Sequence, residues 1–133
     1  MDFVLMIHSI VRWIILLVAV VALVKLGWGW LRGGVFDGMD RGVVAGYSGL
    51  LDLQALLGLV LLFGDAIFLG EGFPMVRILH AIVMILAVVA GHLPARWRAS
   101  PAPIRYRASL AAIGGSLVLI VIGIFIIVMG QAA

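Results

Sequence analysis

Four long apolar runs, separated by short polar segments, dominate the pattern of hydrophobic and polar positions along this chain. They lie at about 3–26, 43–69, 74–94 and 107–129. An α-helix needs about 20 apolar residues to cross the hydrocarbon core of a bilayer, and each run is long enough to do so. The pattern therefore predicts four membrane-spanning helices.

The polar connections between these runs are short, and short connections place sequential helices side by side in opposite directions. We therefore predict an all-α, four-helix up-down-up-down transmembrane bundle, formed by residues 1–133 as a single integral membrane domain. The first run has no basic segment before it and no cleavage site after it. We expect it to be retained as a helix rather than removed as a signal peptide.

Composition supports the membrane interpretation and excludes several kinds of site. The chain is 65% hydrophobic and 11% charged, whereas a soluble domain is about half apolar and a quarter charged. There is no cysteine, which excludes disulfides and thiolate-ligated metal centres. The net charge of +3 comes from basic residues in the connections, so we expect the lipid bilayer, and no nucleic acid, as a partner.

Basic residues are distributed unequally between the two sides of the predicted bundle. The first and third connections and their flanks carry seven of them: Lys25, Arg32, Arg41, Arg96, Arg98, Arg105 and Arg107. The second connection offers only Arg77. Because cytoplasmic loops are enriched in Lys and Arg, this bias predicts a multi-pass protein of the bacterial inner (cytoplasmic) membrane with both termini periplasmic.

Two histidines fall at matching depth in the predicted bundle. His8 lies five residues into the first run, and His80 lies six residues after Pro74 in the third. Both are then roughly 8–9 Å below the same face, on helices that run in the same direction. Two imidazoles at one level are the axial ligands that a b-type haem takes in a helical bundle. The alternative is that each histidine only hydrogen-bonds a neighbouring helix.

The surroundings of His80 extend this candidate site. Met84 and Gly91 follow His80 on the same helix face, and the small residue leaves room for a flat ligand. Arg77 lies one turn before His80, and Arg12 lies one turn after His8, where either guanidinium can pair with a haem propionate. We predict that His8, His80, Arg77, Arg12, Met84 and Gly91 bind the cofactor.

Two further polar features leave alternatives open. His92 lies about 18 Å along the helix from His80, so snorkelling or capping is favoured over a second iron ligand. Arg12 and Asp52 fall at similar depth near mid-membrane, where an isolated charge is costly, and we predict a structural ion pair between them. The functional alternative for this pair is a proton relay or a quinone head-group site.

Three segments of the chain resemble small bacterial four-span membrane proteins labelled cytochrome b or cytochrome-b-like. They are HSIVRW at His8–Trp13, DLQALLGLVL at Asp52–Leu61 and LHAIVMILAVVAGH at Leu79–His92. The resemblance implies b-type haem binding and electron transfer in the membrane. In that family a Glu often precedes the first histidine of the third segment, whereas this chain has Leu79.

The function predicted from the sequence is that of a membrane-bound haem b protein. It would carry electrons to or from quinol, or to a larger respiratory or photosynthetic complex, rather than act as a stand-alone enzyme. One alternative is a non-redox accessory subunit of a membrane complex, in contact with pigment or lipid. A small transporter or channel that uses Arg12 and Asp52 is a third class, which four unbroken spans disfavour.

Overall fold

The computed structural model describes residues 1–132 of the protein and contains four long α-helices joined by short connections. They are α1 (Asp2–Leu31), α2 (Gly38–Phe68), α3 (Met75–His92) and α4 (Ala102–Ala132), with a 3-10 turn at Leu93–Trp97 that continues α3. Each of the four is long and apolar enough to cross a membrane, α3 together with its 3-10 continuation. The predicted all-α bundle with four spans is confirmed.

The helices extend beyond the apolar runs that predicted them. α2 begins at Gly38 because Asp37 and Asp40 form a capping box, in which each carboxylate accepts the backbone N–H of the other residue at 2.8 and 3.1 Å. α4 begins at Ala102, and Pro103 fits its first turn because no backbone N–H is needed there. Apolar runs mark the hydrocarbon depth, whereas helices continue into the interface.

The four helices form a ring in which each packs against its two neighbours. The order around the ring is α1, α2, α3 and α4, and α4 closes on α1. Sequential helices are antiparallel, so α1 and α3 run in the same direction on one diagonal of the bundle. We call the end with Met1 and the turn between α2 and α3 the terminal end, and the opposite end the basic end.

The hydrophobic core fills only the half of the bundle nearer the basic end. Its buried members are Val11, Ile15, Ala19, Ala22, Leu26, Phe36, Tyr47, Leu51, Ala87, Tyr106, Ile113 and Ile120. Towards the terminal end this core stops at Val11, Leu51, Ala87 and Ile120. The packing of the other half is therefore left to polar and partly buried side chains.

Several buried polar groups in the basic half join helices through hydrogen bonds. Asp40 is 1% exposed, and it binds Lys25 at 2.5 Å and accepts a hydrogen bond from the Tyr106 hydroxyl at 2.8 Å. The Tyr47 hydroxyl donates to Ser116 Oγ, which donates to the backbone carbonyl of Ala87, both at 2.9 Å. Such paired groups join helices without leaving an unsatisfied polar atom in an apolar interior.

The outer surface of the bundle is apolar, as a protein in contact with lipid requires. Large side chains such as Phe68 and Leu31 are 83% and 78% exposed. Small residues at spacings that allow close helix approach also face outward rather than into the bundle, at Gly42, Gly46 and Gly49 of α2. These glycines are not used for packing between α2 and its neighbours.

The ion pair between the partly exposed Lys25 and the buried Asp40 predicts a stability effect with a clear sign. Replacing Asp40 by Ala leaves the Lys25 ammonium without its main partner, so the free energy of unfolding should fall by about 2–3 kcal/mol in detergent. The double variant Lys25→Met/Asp40→Leu should recover part of this loss, because neither charge is stranded. Asp2→Ala, which removes an exposed acid, is the control. Additive effects of the two single changes would show that the pair is not coupled.

Candidate cofactor-binding cavity

A cavity of about 370 Å³ occupies the terminal half of the bundle, beyond the end of the hydrophobic core. Its volume falls in the range of small-molecule sites. All four helices contribute to its wall, and its polar lining consists of His8, Ser9, Arg12, Gln54, Asp65, Arg77, His80 and Gln131. The sequence prediction placed His8 and His80 at one depth on parallel helices, and both line this cavity. We call it the central cavity.

The ring of His80 is held in one orientation by the neighbouring helix. Its Nδ1 lies 2.7 Å from the backbone oxygen of Gly123 on α4. A carbonyl oxygen only accepts hydrogen bonds, so Nδ1 carries the proton and Nε2 keeps a free lone pair. A Cβ at Gly123 would lie 2.6 Å from Met84 Sδ, so a larger residue there would displace the Met84 side chain. The hydrogen bond from Nδ1 to the Gly123 carbonyl leaves Nε2 of His80 as the nitrogen available to a metal.

The ring of His8 is held less completely, by Gln54 of α2. The Gln54 amide nitrogen donates to the backbone oxygen of His8 at 3.0 Å and lies 3.4 Å from His8 Nε2. His8 Nδ1 and Gln54 Oε1 are both buried and have no hydrogen-bond partner. Gly58 allows the ring to sit here, because a Cβ at that position would lie 3.3 Å from His8 Cε1.

Unsatisfied buried polar atoms are concentrated in the wall of the central cavity. Within residues 1–132 there are three such side-chain atoms: His8 Nδ1, Gln54 Oε1 and Asp65 Oδ1. All three residues line the cavity. Buried polar atoms without partners are rare in native proteins, and each calls for an explanation. A polar ligand or water inside the cavity would supply the missing partners.

Arg77 is engaged by two carboxylates, which changes the role predicted for it. Its guanidinium lies 2.9 Å from Asp65 on α2 and 2.9 Å from Glu71 in the turn before α3. That turn contains Gly70 and Gly72, both with φ of +70°, which lets the chain reverse within a few residues. Arg77 lines the cavity but already has two carboxylate partners, with which the propionate predicted from the sequence would have to share its guanidinium.

Arg12 lines the central cavity without a counter-ion among residues 1–132. No carboxylate oxygen of the described residues lies within 4.0 Å of it, and its Cζ sits 5.5 Å from the ring centroid of Trp13. The ion pair predicted between Arg12 and Asp52 is therefore not formed. Asp52 Oδ1 instead lies 2.7 Å from His92 Nε2 on α3.

Arg12 and Asp52 lie at similar levels of the bundle, but their side chains point in different directions. α1 and α2 meet at Lys25–Asp40 and at His8–Gln54, which brings Arg12 about level with Leu51. Asp52 lies two residues from Gln54, or about 200° around the helix, and so faces away from α1.

The remaining predicted residues divide between two places. Met84 lines the central cavity beside His80. Gly91 does not line it; a Cβ there would clash with Leu51 of α2, so Gly91 serves close helix packing, contrary to the predicted cofactor contact. His92 is also outside the cavity, and its partly exposed ring pairs with Asp52. This pairing disfavours His92 as an iron ligand.

Two residues of the site, Gln54 and Asp65, were not predicted. Together with Gly58 they share one face of α2, at positions i, i+4 and i+11 counted from Gln54, and that face lines the cavity. The signal was present in the sequence, because polar residues at helical spacing interrupt the second apolar run. The sequence prediction compared only the depths of charged residues in the membrane, and on that basis it paired Arg12 with Asp52 instead.

Comparisons with known proteins do not add to this picture. No protein-family model, no curated protein and no solved structure matches the chain. Within residues 1–132 there is no group of three or more His, Asp or Glu side chains that could hold a metal ion. The resemblance to cytochrome-b-like proteins therefore stays a prediction from the three sequence segments.

The two arginines of the cavity should differ in their effect on stability. Arg77→Gln removes the counter-ion of the mostly buried Asp65, and we expect it to lower the free energy of unfolding by about 1–2 kcal/mol. Arg12→Gln breaks no ion pair, and its effect should stay within about 0.5 kcal/mol. Unfolding in detergent measures both, each variant serving as the other's control. Equal losses would contradict the assignment of partners.

Proposed function

We propose that this protein holds one b-type haem in the central cavity and carries electrons within the membrane. His8 and His80 would be its axial ligands. The proposal rests mainly on one observation: two parallel helices on a diagonal of the bundle place these imidazoles in the wall of the same cavity. A haem needs only two protein ligands, because its porphyrin supplies the other four nitrogens.

The hydrogen bonds of the two imidazoles fit this role. Metal-ligating histidines usually donate their other ring N–H to a carbonyl or carboxylate, as His80 does to Gly123. The buried Nδ1 of His8 has no partner in the protein, and it would gain one by binding the haem iron. In that arrangement His8 Nε2 carries the proton and faces the Gln54 amide nitrogen, which is also a donor. The Gln54 amide would have to rotate to accept this hydrogen bond, and it would give up its bond to the His8 backbone oxygen.

The charges of the cavity also fit an anionic cofactor. Arg12 has no carboxylate partner among residues 1–132, and it would pair with a propionate. Arg77 can contribute only through hydrogen bonds that Asp65 and Glu71 leave free. When bound, the haem supplies one-electron redox chemistry, and apolar residues such as Met84 and Ile124 exclude water around it. A quinol or a larger respiratory or photosynthetic complex would exchange electrons with it.

A second candidate is a non-redox accessory subunit of a membrane complex. One observation favours it: the small residues Gly42, Gly46 and Gly49, and likewise Ala111 and Gly115, face outward from the bundle. In a membrane such stripes allow the backbone of another helix to approach closely. The two candidates are compatible with one fold and differ in whether the purified protein shows the visible spectrum of a haem.

The haem proposal predicts a spectrum that depends on two of the three histidines. Protein made with ample haem should show a sharp Soret band and split α and β bands after reduction. Carbon monoxide should bind poorly, because both axial positions are filled. His8→Ala and His80→Ala should each abolish or convert this low-spin spectrum, while circular dichroism shows that the helices remain.

His92→Ala is the matched control, because His92 pairs with Asp52 and lies outside the central cavity. It should leave the spectrum intact. A colourless wild-type protein would refute haem binding and favour the accessory subunit. Loss of colour in His92→Ala alone would show that the haem lies at the other end of the bundle.

A further inference from the structure

A second cavity, of about 210 Å³, lies at the basic end of the bundle between α2, the end of α3, the 3-10 turn and α4. Three arginines line it: Arg41, Arg98 and Arg105. Ser109 adds a hydroxyl group, whereas the hydroxyl of Ser48 already donates to the backbone oxygen of Ala45 at 3.0 Å. There is no Asp or Glu in the lining, although His92, which also lines the cavity, pairs with Asp52. We call it the arginine cavity. It is separate from the central cavity, and its chemistry does not depend on haem binding.

The three guanidiniums have no carboxylate partners among residues 1–132. The ion pairs of the structure use Asp37 and Asp40 for Lys25, Asp65 and Glu71 for Arg77, and Asp52 for His92. Asp2, the sixth acid of the chain, lies at the terminal end. The positive charge of the arginine cavity is therefore not neutralised within the described part of the protein.

Phe36 holds two of these arginines at the cavity. Its ring is 6% exposed and packs edge-on against Tyr106, with 5.0 Å between the ring centroids. The Arg105 guanidinium stacks on this ring, with Cζ 4.1 Å from the centroid, and Arg41 Nη1 donates to the backbone oxygen of Phe36 at 3.4 Å. A guanidinium has five N–H donors, so most of them stay available to a ligand.

Helix geometry strengthens the attraction for an anion. Arg41 is the fourth residue of α2, and Arg105 is the fourth residue of α4. The N-termini of both helices therefore lie at this end of the bundle. The N-terminus of α2 is occupied by the Asp37–Asp40 capping box, so it is the partial positive charge of α4 that adds to that of the arginines. Three cations, the Ser109 hydroxyl and the N-terminus of α4 together match the oxygens of a phosphate group.

We propose that the arginine cavity binds a phosphate group, supplied by the headgroup of an anionic phospholipid. The cavity lies at the end of long apolar helices, which is the depth of lipid headgroups, and basic pockets between transmembrane helices bind such headgroups. Val44, Pro94 and Ala95 give the cavity an apolar side against which the lipid backbone packs. A soluble phosphate compound carries the same group and is the other source of this chemistry.

Native mass spectrometry of the protein in mild detergent tests this proposal. The probes are phosphatidylglycerol, phosphatidylcholine and inorganic phosphate, each titrated separately. We expect saturable binding of one phosphatidylglycerol per chain and at least about tenfold weaker binding of phosphatidylcholine. The variant Arg41→Gln/Arg98→Gln/Arg105→Gln should lose at least about tenfold in affinity for phosphatidylglycerol.

The matched control is Arg32→Gln/Arg96→Gln/Arg107→Gln, which removes the same charge from exposed arginines outside the cavity. It should keep the affinity of the unchanged protein. Because a triple variant can fail to fold, the single variant Arg105→Gln and circular dichroism of every variant accompany the test. The single variant should bind several-fold more weakly.

Each outcome of the titrations decides the proposal. Binding of inorganic phosphate that depends on the three arginines, with no preference for phosphatidylglycerol, would overturn the lipid as the source and leave a soluble phosphate ligand. Equal losses in the cavity and control variants would mean that only net charge matters, and would overturn the site. Absence of saturable binding by any probe would overturn it as well.

Discussion

In the hydrocarbon core of a membrane, a buried polar atom finds partners only in the protein or in the molecules that the protein binds. The basic half of this bundle meets that constraint internally, with Lys25 on Asp40 and with Tyr47 and Ser116 joined to the carbonyl of Ala87. The terminal half does not, because three polar atoms around the central cavity are left without partners. The contrast between the two halves directs attention to the cavity.

The same division explains why the cavity can exist. Close packing of large apolar side chains ends at Val11, Leu51, Ala87 and Ile120, and the helices beyond that level are held by ion pairs and hydrogen bonds at their edges. Arg77 ties α3 to Asp65 of α2, and His80 ties α3 to Gly123 of α4. Contacts at the helix edges keep the centre open, which a core filled by apolar residues would not do.

Run lengths and periodicity predicted the four helices and the level of their polar residues. They could not predict the direction in which each side chain points, because an error of one residue in register turns a side chain by about 100°. Asp52 shows this limit: its depth matched Arg12, yet it faces His92. Arg77 shows another, because the turn that brings Glu71 to it depends on backbone conformations at Gly70 and Gly72. His8 and His80 could be predicted because their interpretation depended only on a shared level in the bundle, which helix length gives.

Electron paramagnetic resonance of the oxidised, haem-loaded protein would decide whether His8 and His80 ligate one iron, because it reports both axial ligands. Since these two histidines lie in the wall of one cavity, we predict one haem per chain and a wholly low-spin ferric signal. A high-spin signal at full loading, or haem that binds without reaching a fixed ratio to the protein, would contradict this ligation.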